Sequence, residues 1–194
     1  TRNVLMTIEN TDDQMPWCTN YAETMALKIW YPITVATISR NIKKKILGYL
    51  EETGDPSGVD FKLHDFGYRG VSSEESAAIG GMAHLINFKG TDTMLALEAA
   101  EIYYGEDMAG FSIPAAEHST MTAWGQEFEY EAYKNMIAQF GKGALYAVVS
   151  DSYDIYNACD NIWGQELKAQ VAAAPGILVI RPDSGVPHEV VRQI

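Results

Sequence analysis

Charged and titratable side chains follow five short apolar segments that are typical of strands. These side chains are His64, Asp65, Arg69, Lys89, Asp92, Glu117, His118, Asp151, Asp154, Arg181 and Asp183. Because ligands bind at the carboxyl ends of parallel strands in α/β folds, the set indicates a composite active site. Three of these strand ends carry the carboxylates Asp92, Asp151 and Asp183. Carboxylates accept hydrogen bonds from hydroxyl or amide groups and bind Mg²⁺ directly or through water.

The other candidate side chains suit a flat, phosphorylated ligand. Arg69 and Arg181 offer planar guanidinium groups that fit phosphate or pyrophosphate oxygens. Phe66, just before Arg69 in the chain, is suited to stacking on a heterocycle, although plain core packing explains its position equally well. A ring, a sugar and phosphates would together use all of these groups.

Structural interpretations remain open for several of these residues. Asp151 could cap the helix that follows it, and Asp183 could belong to a simple turn before a glycine. His118 lies in a polar loop and is the best functional histidine, although it too could cap a helix. His64 and His84 lie in apolar surroundings, which favours buried or supporting roles over catalysis.

Composition excludes several classes of protein. The 194 residues carry 14 basic and 26 acidic side chains, a net charge of −12, and this disfavours nucleic-acid binding. The Lys43–Lys45 cluster is interpreted as a solvated helix face. No long apolar run or secretory signal is present, and we expect no membrane association. Cys18 and Cys159 form no disulfide or zinc pattern, so we expect free thiols in the cytoplasm.

The first part of the chain has its own pattern. Val4–Ile8 predicts a strand, and apolar spacing over Asp13–Tyr31 predicts a helix that Pro32 closes or kinks. Ser39 is the expected N-cap of a second helix over Ile42–Glu52. The turn-rich stretch Thr53–Gly58 indicates a domain boundary. We therefore expect residues 1–54 to be a segment of a flanking domain.

Residues 55–194 alternate between predicted strands and predicted helices. The strands are Phe61–Phe66, Leu85–Phe88, Phe111–Ala115, Leu145–Ser150 and Ile177–Arg181, and the helices are Glu74–Met82, Thr91–Tyr104, Ser119–Phe140, Tyr153–Ala169 and a last one from Pro187. Five successive strand–helix steps predict a parallel α/β sheet, either doubly wound or part of a barrel. The pattern stops in mid-course and the first residue is not methionine, so we expect a piece of a longer protein.

Seven segments of the chain resemble one enzyme family, the nicotinamide phosphoribosyltransferases. They are TIENTD (7–12), WYPITVAT (30–37), LHDFGYRGVSS (63–73), NFKGTDT (87–93), PAAEHST (114–120), VVSDSYDIYNACDNIWG (148–164) and IRPDSG (180–185). The resemblance implies a type II phosphoribosyltransferase-like (β/α) barrel, of which residues 55–194 are the first part, preceded by a segment of a flanking α/β domain. It implies formation of nicotinamide mononucleotide and pyrophosphate from nicotinamide and phosphoribosyl pyrophosphate, with Mg²⁺ and with ATP as an optional coupling substrate. It also implies a cytoplasmic homodimer with the active site at the subunit interface.

The resemblance also implies roles for the candidate residues. Phe66 stacks on nicotinamide, Asp92 binds the carboxamide NH₂, and Arg69 and Arg181 lie near the base and phosphates. An aspartate at position 92 would repel the carboxylate of nicotinate.

The resemblance further implies that Asp151 and Asp183 hold the ribose and its Mg²⁺–pyrophosphate. We assign no residue as a direct ligand of the metal ion. His118 resembles the histidine that is phosphorylated by ATP. Three alternatives stay open. One is a nicotinate phosphoribosyltransferase. Because members of this family are longer than 194 residues, the other two are an inactive or binding-only fragment that needs the missing segments and one half of a split enzyme.

Overall fold

The computed structural model describes residues 3–194, which divide into two compact units. The first unit extends through Ser112, and the second begins at Ile113. The domain division predicted from the sequence, residues 1–54 and 55–194, stays a prediction. Residues 1 and 2 lie outside the described residues. Both units mix helices with parallel strands, which confirms the α/β class at this level.

One long helix, α1 (Cys18–Thr53), forms much of the first unit. Pro32 does not close the helix, which was one of its two predicted effects, and the predicted N-cap at Ser39 is wrong, because both residues lie inside α1. Ser39 is buried, and its hydroxyl is 3.0 Å from Nδ1 of His84 on α2 (Glu74–Leu85). Packing of α1 against α2 therefore outweighs the local cost of an interior proline.

The N-terminal strand predicted at Val4–Ile8 is absent, and this expectation is wrong. These residues are irregular and exposed, although four of the five are apolar or methionine. A strand needs a neighbouring strand for its backbone groups, and residues 4–8 pair with none of the described strands.

The charge pattern of α1 also departs from expectation. Lys43 is half-buried, and its ammonium group donates to the Asp60 carboxylate and, at 2.6 Å, to the Asn87 carbonyl. The solvated-face interpretation is therefore wrong for Lys43, which instead connects α1 to the 3₁₀ helix Pro56–Phe61 and to the turn after α2.

The first unit contains two very short parallel strands, β1 (His64–Asp65) and β2 (Gly90–Thr91). The predicted strand Phe61–Phe66 is wrong in extent, and the predicted strand Leu85–Phe88 is wrong, since no strand residue lies within it. A 3₁₀ helix occupies Pro56–Phe61, and α2 continues to Leu85. Ser73 caps α2 as an oxygen acceptor for the Ser76 N–H at 3.1 Å. The next helix, α3 (Met94–Tyr104), begins three residues later than predicted.

The second unit is built on the parallel pair β3 (Leu145–Val149) and β4 (Ile177–Arg181). These two predictions are confirmed to within one residue. Four of the five β3 residues are buried, as a covered parallel strand requires. The predicted strand Phe111–Ala115 is reduced to two isolated bridges, Phe111 with Gly90 in the first unit and Ala115 with Ala147 in the second.

Two long helices predicted for the second unit are broken in the structure. Ser119–Phe140 is instead α4 (His118–Thr122), a 3₁₀ turn and α5 (Glu129–Phe140), because Gly125 between them has a φ of +81°. Tyr153–Ala169 is instead divided into α6 (Ile155–Asn157), a π-helix (Ala158–Glu166) and α7 (Lys168–Ala173). The last helix, α8 (Pro187–Gln193), begins at Pro187 as predicted.

Aromatic packing supports the carboxyl end of β3. The rings of Tyr133 and Trp163 stack at 4.6 Å between centroids, and both are buried. The Trp163 indole N–H donates to the Ser150 hydroxyl at 3.0 Å, which itself donates to the Val148 carbonyl. The residue that follows Ser150 is therefore positioned by the core. Among the described residues, no helix is long and apolar enough to cross a membrane.

Candidate active site

In the first unit, three neighbouring chain segments bring their carboxyl ends together. His64 pairs with Gly90 and Asp65 with Thr91 across β1 and β2, and Phe111 bridges to Gly90 on the other side. The next residues along two of these segments are Asp92 and Ser112. Parallel alignment therefore places three polar side chains at one edge, as the sequence pattern predicts for strand ends.

Asp92 is the centre of this first cluster. Its Oδ1 lies 2.8 Å from His64 Nε2 and accepts a short hydrogen bond from the Ser112 hydroxyl. The Asp92 side chain is 43 % exposed, so a ligand in solvent can approach it. A carboxylate held by two donors and open to solvent is suited to bind an N–H donor of a ligand.

Phe66 and Arg69 lie near this cluster in the chain and are both exposed. The Phe66 ring is 51 % exposed and lies 4.8 Å from the His64 ring, between centroids, at an angle of 39°. The plain core-packing interpretation of Phe66 is therefore wrong. Arg69 lies on the 3₁₀ turn Gly67–Gly70 that begins directly after Phe66.

In the second unit, His118 and Asp151 form the central pair. His118 Nε2 lies 2.8 Å from Asp151 Oδ1, and the Asp183 backbone N–H donates to Asp151 Oδ2 at 3.1 Å. Both carboxylate oxygens of Asp151 are therefore engaged, and only 4 % of its side chain is exposed. The pair arises because His118, Asp151 and Asp183 each follow a segment of one parallel arrangement.

These contacts keep Asp151 ionised. Burial acts most strongly and raises the pKa of Asp151, but the hydrogen bonds from Ser184, His118 and the Asp183 N–H together outweigh it. The net effect holds the pKa of Asp151 below its ordinary value. A buried, ionised carboxylate therefore faces the His118 imidazole.

Asp183 and Arg181 complete the second cluster with looser contacts. Asp183 Oδ2 lies 3.9 Å from His118 Nδ1 and 4.0 Å from Arg181 Nη2, and its side chain is 50 % exposed. Arg181 donates through Nη2 to the Ala116 carbonyl at 3.4 Å. Its buried Nε–H has no hydrogen-bond partner among the described residues. The guanidinium is therefore only partly satisfied by the protein, as an anion-binding arginine would be.

The structural alternatives for these residues can now be decided. Asp154, not Asp151, caps α6, since its carboxylate accepts from the N–H groups of Tyr156 and Asn157. Glu117, not His118, caps α4 through a capping box. Asp183 does lie in a turn, but its N–H also fixes Asp151. Asp151 and His118 are thus left without a helix-capping role.

His84 has a structural role, as the sequence indicated. It is buried, hydrogen-bonds Ser39 and stacks on Phe88 at 5.3 Å. Burial lowers its pKa from the ordinary value of 6.5 and keeps the ring neutral in the folded protein. Cys18 and Cys159 are free thiols, as predicted.

The structure adds Ser112, Ser150 and Trp163, which the sequence did not indicate as site residues. Ser112 holds Asp92 together with His64, which the sequence had placed at a strand end, while Ser150 and Trp163 fix the end of β3. No sequence signal marked position 112, since strand register is what brings it to Asp92. The described residues contain no group of three or more His, Cys, Asp or Glu side chains able to hold a metal ion.

Comparison with known proteins places these clusters in a family. The profile of the nicotinate phosphoribosyltransferase (NAPRTase) family matches residues 61–194, which include every candidate site residue. The chain belongs to the NAPRTase family. This match covers more than half of the chain and contains both clusters.

Curated relatives of this NAPRTase-family chain carry a narrower name. The chain is 56 % identical over 196 residues to a nicotinamide phosphoribosyltransferase of Xanthomonas campestris. This match covers 100 % of the chain and 42 % of the relative. Proteins of the same name from Mycoplasma pneumoniae and Acinetobacter baylyi are 40 % and 33 % identical; the matches cover 95 % and 96 % of this chain and 39 % of each relative. The chain therefore spans about two fifths of the length of the curated relatives it matches.

Proposed function

We propose that the full-length protein is a nicotinamide phosphoribosyltransferase, a pentosyltransferase of NAD salvage. It would convert nicotinamide and phosphoribosyl pyrophosphate to nicotinamide mononucleotide and pyrophosphate. The observation that carries this proposal is the solvent-accessible Asp92 carboxylate together with the exposed Phe66 ring, both of which contact His64. The names of three relatives support the same substrate.

The first cluster supplies the binding site for the base. Phe66 would stack on the pyridine ring, and the Asp92 carboxylate would accept a hydrogen bond from the carboxamide NH₂. Nicotinate has a carboxylate in place of that amide. Two such charges about 4 Å apart repel by about 4 kcal/mol at an effective dielectric constant of about 20. Asp92 therefore favours nicotinamide over the nicotinate alternative.

The second cluster supplies groups for the phosphoribosyl donor. The exposed Asp183 carboxylate can accept hydrogen bonds from ribose hydroxyl groups, and the incompletely paired Arg181 guanidinium can donate to phosphate oxygens. Arg69, in the first unit, offers another exposed guanidinium suited to phosphate. Asp151 has both oxygens engaged by the protein, so its contribution is to orient His118 and the turn at Asp183. Mg²⁺ would enter as the complex with phosphoribosyl pyrophosphate, since the described residues offer no ligand cluster of their own.

The reaction needs charge stabilisation more than proton transfer. The neutral pyridine nitrogen of nicotinamide attacks the anomeric carbon, and the bond from that carbon to the pyrophosphate oxygen breaks. Pyrophosphate leaves with the bonding electrons, and the positive charge passes to the pyridinium ring. Arginines and the substrate's Mg²⁺ stabilise the leaving group, while Phe66 and Asp92 fix the angle of attack.

His118 is proposed as the acceptor of a phosphoryl group from ATP. Its Nε2 is engaged by Asp151, so Nδ1, on the side of Asp183, is the nitrogen available to form the phosphorus–nitrogen bond as ADP leaves. Hydrolysis of this group would couple ATP to product formation.

The same proposal covers the fold, the oligomeric state and the location of the full-length protein. The two parallel strand pairs support a type II phosphoribosyltransferase (β/α) barrel with a flanking α/β segment. A homodimer and a cytoplasmic location follow from the family resemblance, and the net charge of −12 argues against nucleic acid as a partner. A binding-only fragment is the competing possibility for the 194 residues alone.

Substitution of Asp92 tests the proposed base recognition. In the full-length protein, Asp92→Asn removes the charge that repels nicotinate, so we expect measurable nicotinate mononucleotide formation and a raised KM for nicotinamide. Asp107→Asn, at another exposed aspartate of the same unit, is the matched control and should leave both values unchanged. If Asp92→Asn keeps the wild-type preference, Asp92 does not select the base.

A further inference from the structure

The hydrogen bond between His64 and Asp92 has no role in the function described so far. Nε2 of His64 lies 2.8 Å from Asp92 Oδ1, and the Ser112 hydroxyl donates to the same oxygen. An ionised carboxylate is only an acceptor, so the proton of this bond resides on Nε2. The imidazole thus presents a fixed donor to the carboxylate proposed to read the base.

The fold holds this imidazole in place from two sides. A Cβ at Gly90, the strand neighbour of His64, would lie only 2.7 Å from His64 Nδ1, so the ring occupies space that a side chain at position 90 would need. On the other side the ring contacts Phe66, with 4.8 Å between centroids. His64 therefore links the aromatic and the acidic parts of the first cluster.

The position of Asp92 depends on these donors. Asp92 follows β2 at its end and precedes the buried Thr93 that leads into α3, so its backbone is fixed while its exposed side chain has rotamer freedom. The hydrogen bonds from His64 and Ser112 to one oxygen restrict that freedom. A fixed orientation is needed for a carboxylate that must bind an amide and reject an acid.

We propose that His64 is a positioning and specificity-determining residue, which orients the Asp92 carboxylate for the carboxamide of the base. Ser112 is the second hydrogen-bond donor to the same carboxylate oxygen. This inference rests on the proposed function, because it deepens the role of Asp92 in choosing nicotinamide. His64 acts through Asp92 and carries no step of the phosphoribosyl transfer.

The test uses His64→Leu and His64→Gln in the full-length protein. Loss of one hydrogen bond to a charged group predicts a KM for nicotinamide about tenfold higher in His64→Leu, with kcat within about threefold of wild type. The ratio of nicotinate to nicotinamide use should rise in the same variant. His64→Gln retains a side-chain N–H donor and should recover part of both losses. A merely structural histidine would lower activity with both bases alike.

Two further variants make the result decisive. His188→Leu, at an exposed histidine on α8, is the matched control and should behave as wild type. Ser112→Ala, at an exposed position, serves if His64→Leu fails to fold, and should raise the KM for nicotinamide severalfold. Wild-type KM and base preference in folded His64→Leu and Ser112→Ala would overturn the positioning role alone. Failure of the wild-type protein to use either base would overturn the proposed function and the positioning role together.

Discussion

Neutralising Asp151 should destabilise the second unit far more than neutralising its neighbour Asp183. Asp151→Asn keeps the size of the side chain but removes the charge that accepts from His118 at 2.8 Å and from the Asp183 N–H at 3.1 Å. An asparagine oxygen can serve one of these donors, while its NH₂ group then faces the other. The side chain is only 4 % exposed, so water cannot compensate.

The expected magnitude follows from the bonds that are lost. A hydrogen bond to a charged group contributes about 1.5–3 kcal/mol, and a donor left without an acceptor adds to the cost. We therefore expect Asp151→Asn to lower the free energy of unfolding by about 2–4 kcal/mol. Asp183→Asn removes only ion pairs of 3.9 and 4.0 Å at a half-exposed side chain, so its cost should stay below about 1 kcal/mol.

Hydrogen exchange read by mass spectrometry localises the effect to the second unit. Peptides covering β3, β4 and the Asp183 turn should exchange faster in Asp151→Asn, and urea titration should give the free-energy difference. The pKa of Asp151 is lower in the folded protein than in the unfolded chain, so this stabilisation is complete above about pH 4. It is lost as the pH falls through the folded-state value. Equal effects of the two variants at neutral pH would refute the reasoning.

Three further predictions concern the framework around the clusters. Trp163→Phe removes the indole donor to the buried Ser150 hydroxyl and should cost about 2–3 kcal/mol in urea unfolding, whereas a cost below about 0.5 kcal/mol would show that this bond does not support β3. Burial lowers the pKa of His84, so the unfolded chain binds its proton more tightly and stability falls as the pH drops below about 6.5. His84→Gln should flatten the decline of Tm between about pH 7 and pH 5, and an unchanged slope would contradict this. Lys43→Met removes the partly buried pair with Asp60 and should lower the free energy of unfolding by about 1 kcal/mol, with Lys44→Met as the control that should have no effect.

The sequence was most informative where one signal dominates. Leu145–Val149 and Ile177–Arg181 are nearly unbroken apolar runs, which are typical of parallel strands, and the structure confirms both strands. Asp151 and Asp183 follow these two strands, and both lie close to His118, which follows the isolated bridge at Ala115. Candidate site residues at a strand end can therefore be predicted from the sequence when the strand itself can be predicted.

Errors arose where packing competes with a local signal. Pro32 and Ser39 are reasonable helix boundaries by local chemistry, but α1 passes through both because it packs along α2. Gly125 carried the signal that divides α4 from α5, since its φ of +81° suits glycine, yet the helical spacing around it dominated the prediction. The His64–Asp92 contact joins residues 28 positions apart. Only the strand register, which no periodicity shows, brings them together.

Product analysis with both bases tests the central claim most directly. The full-length protein is supplied with phosphoribosyl pyrophosphate, Mg²⁺ and ATP, and with nicotinamide or nicotinate in parallel reactions. The account predicts nicotinamide mononucleotide and an equal amount of pyrophosphate from nicotinamide, and little or no product from nicotinate. Product from nicotinate alone would contradict the proposed role of Asp92, and no product from either base would contradict the proposed activity.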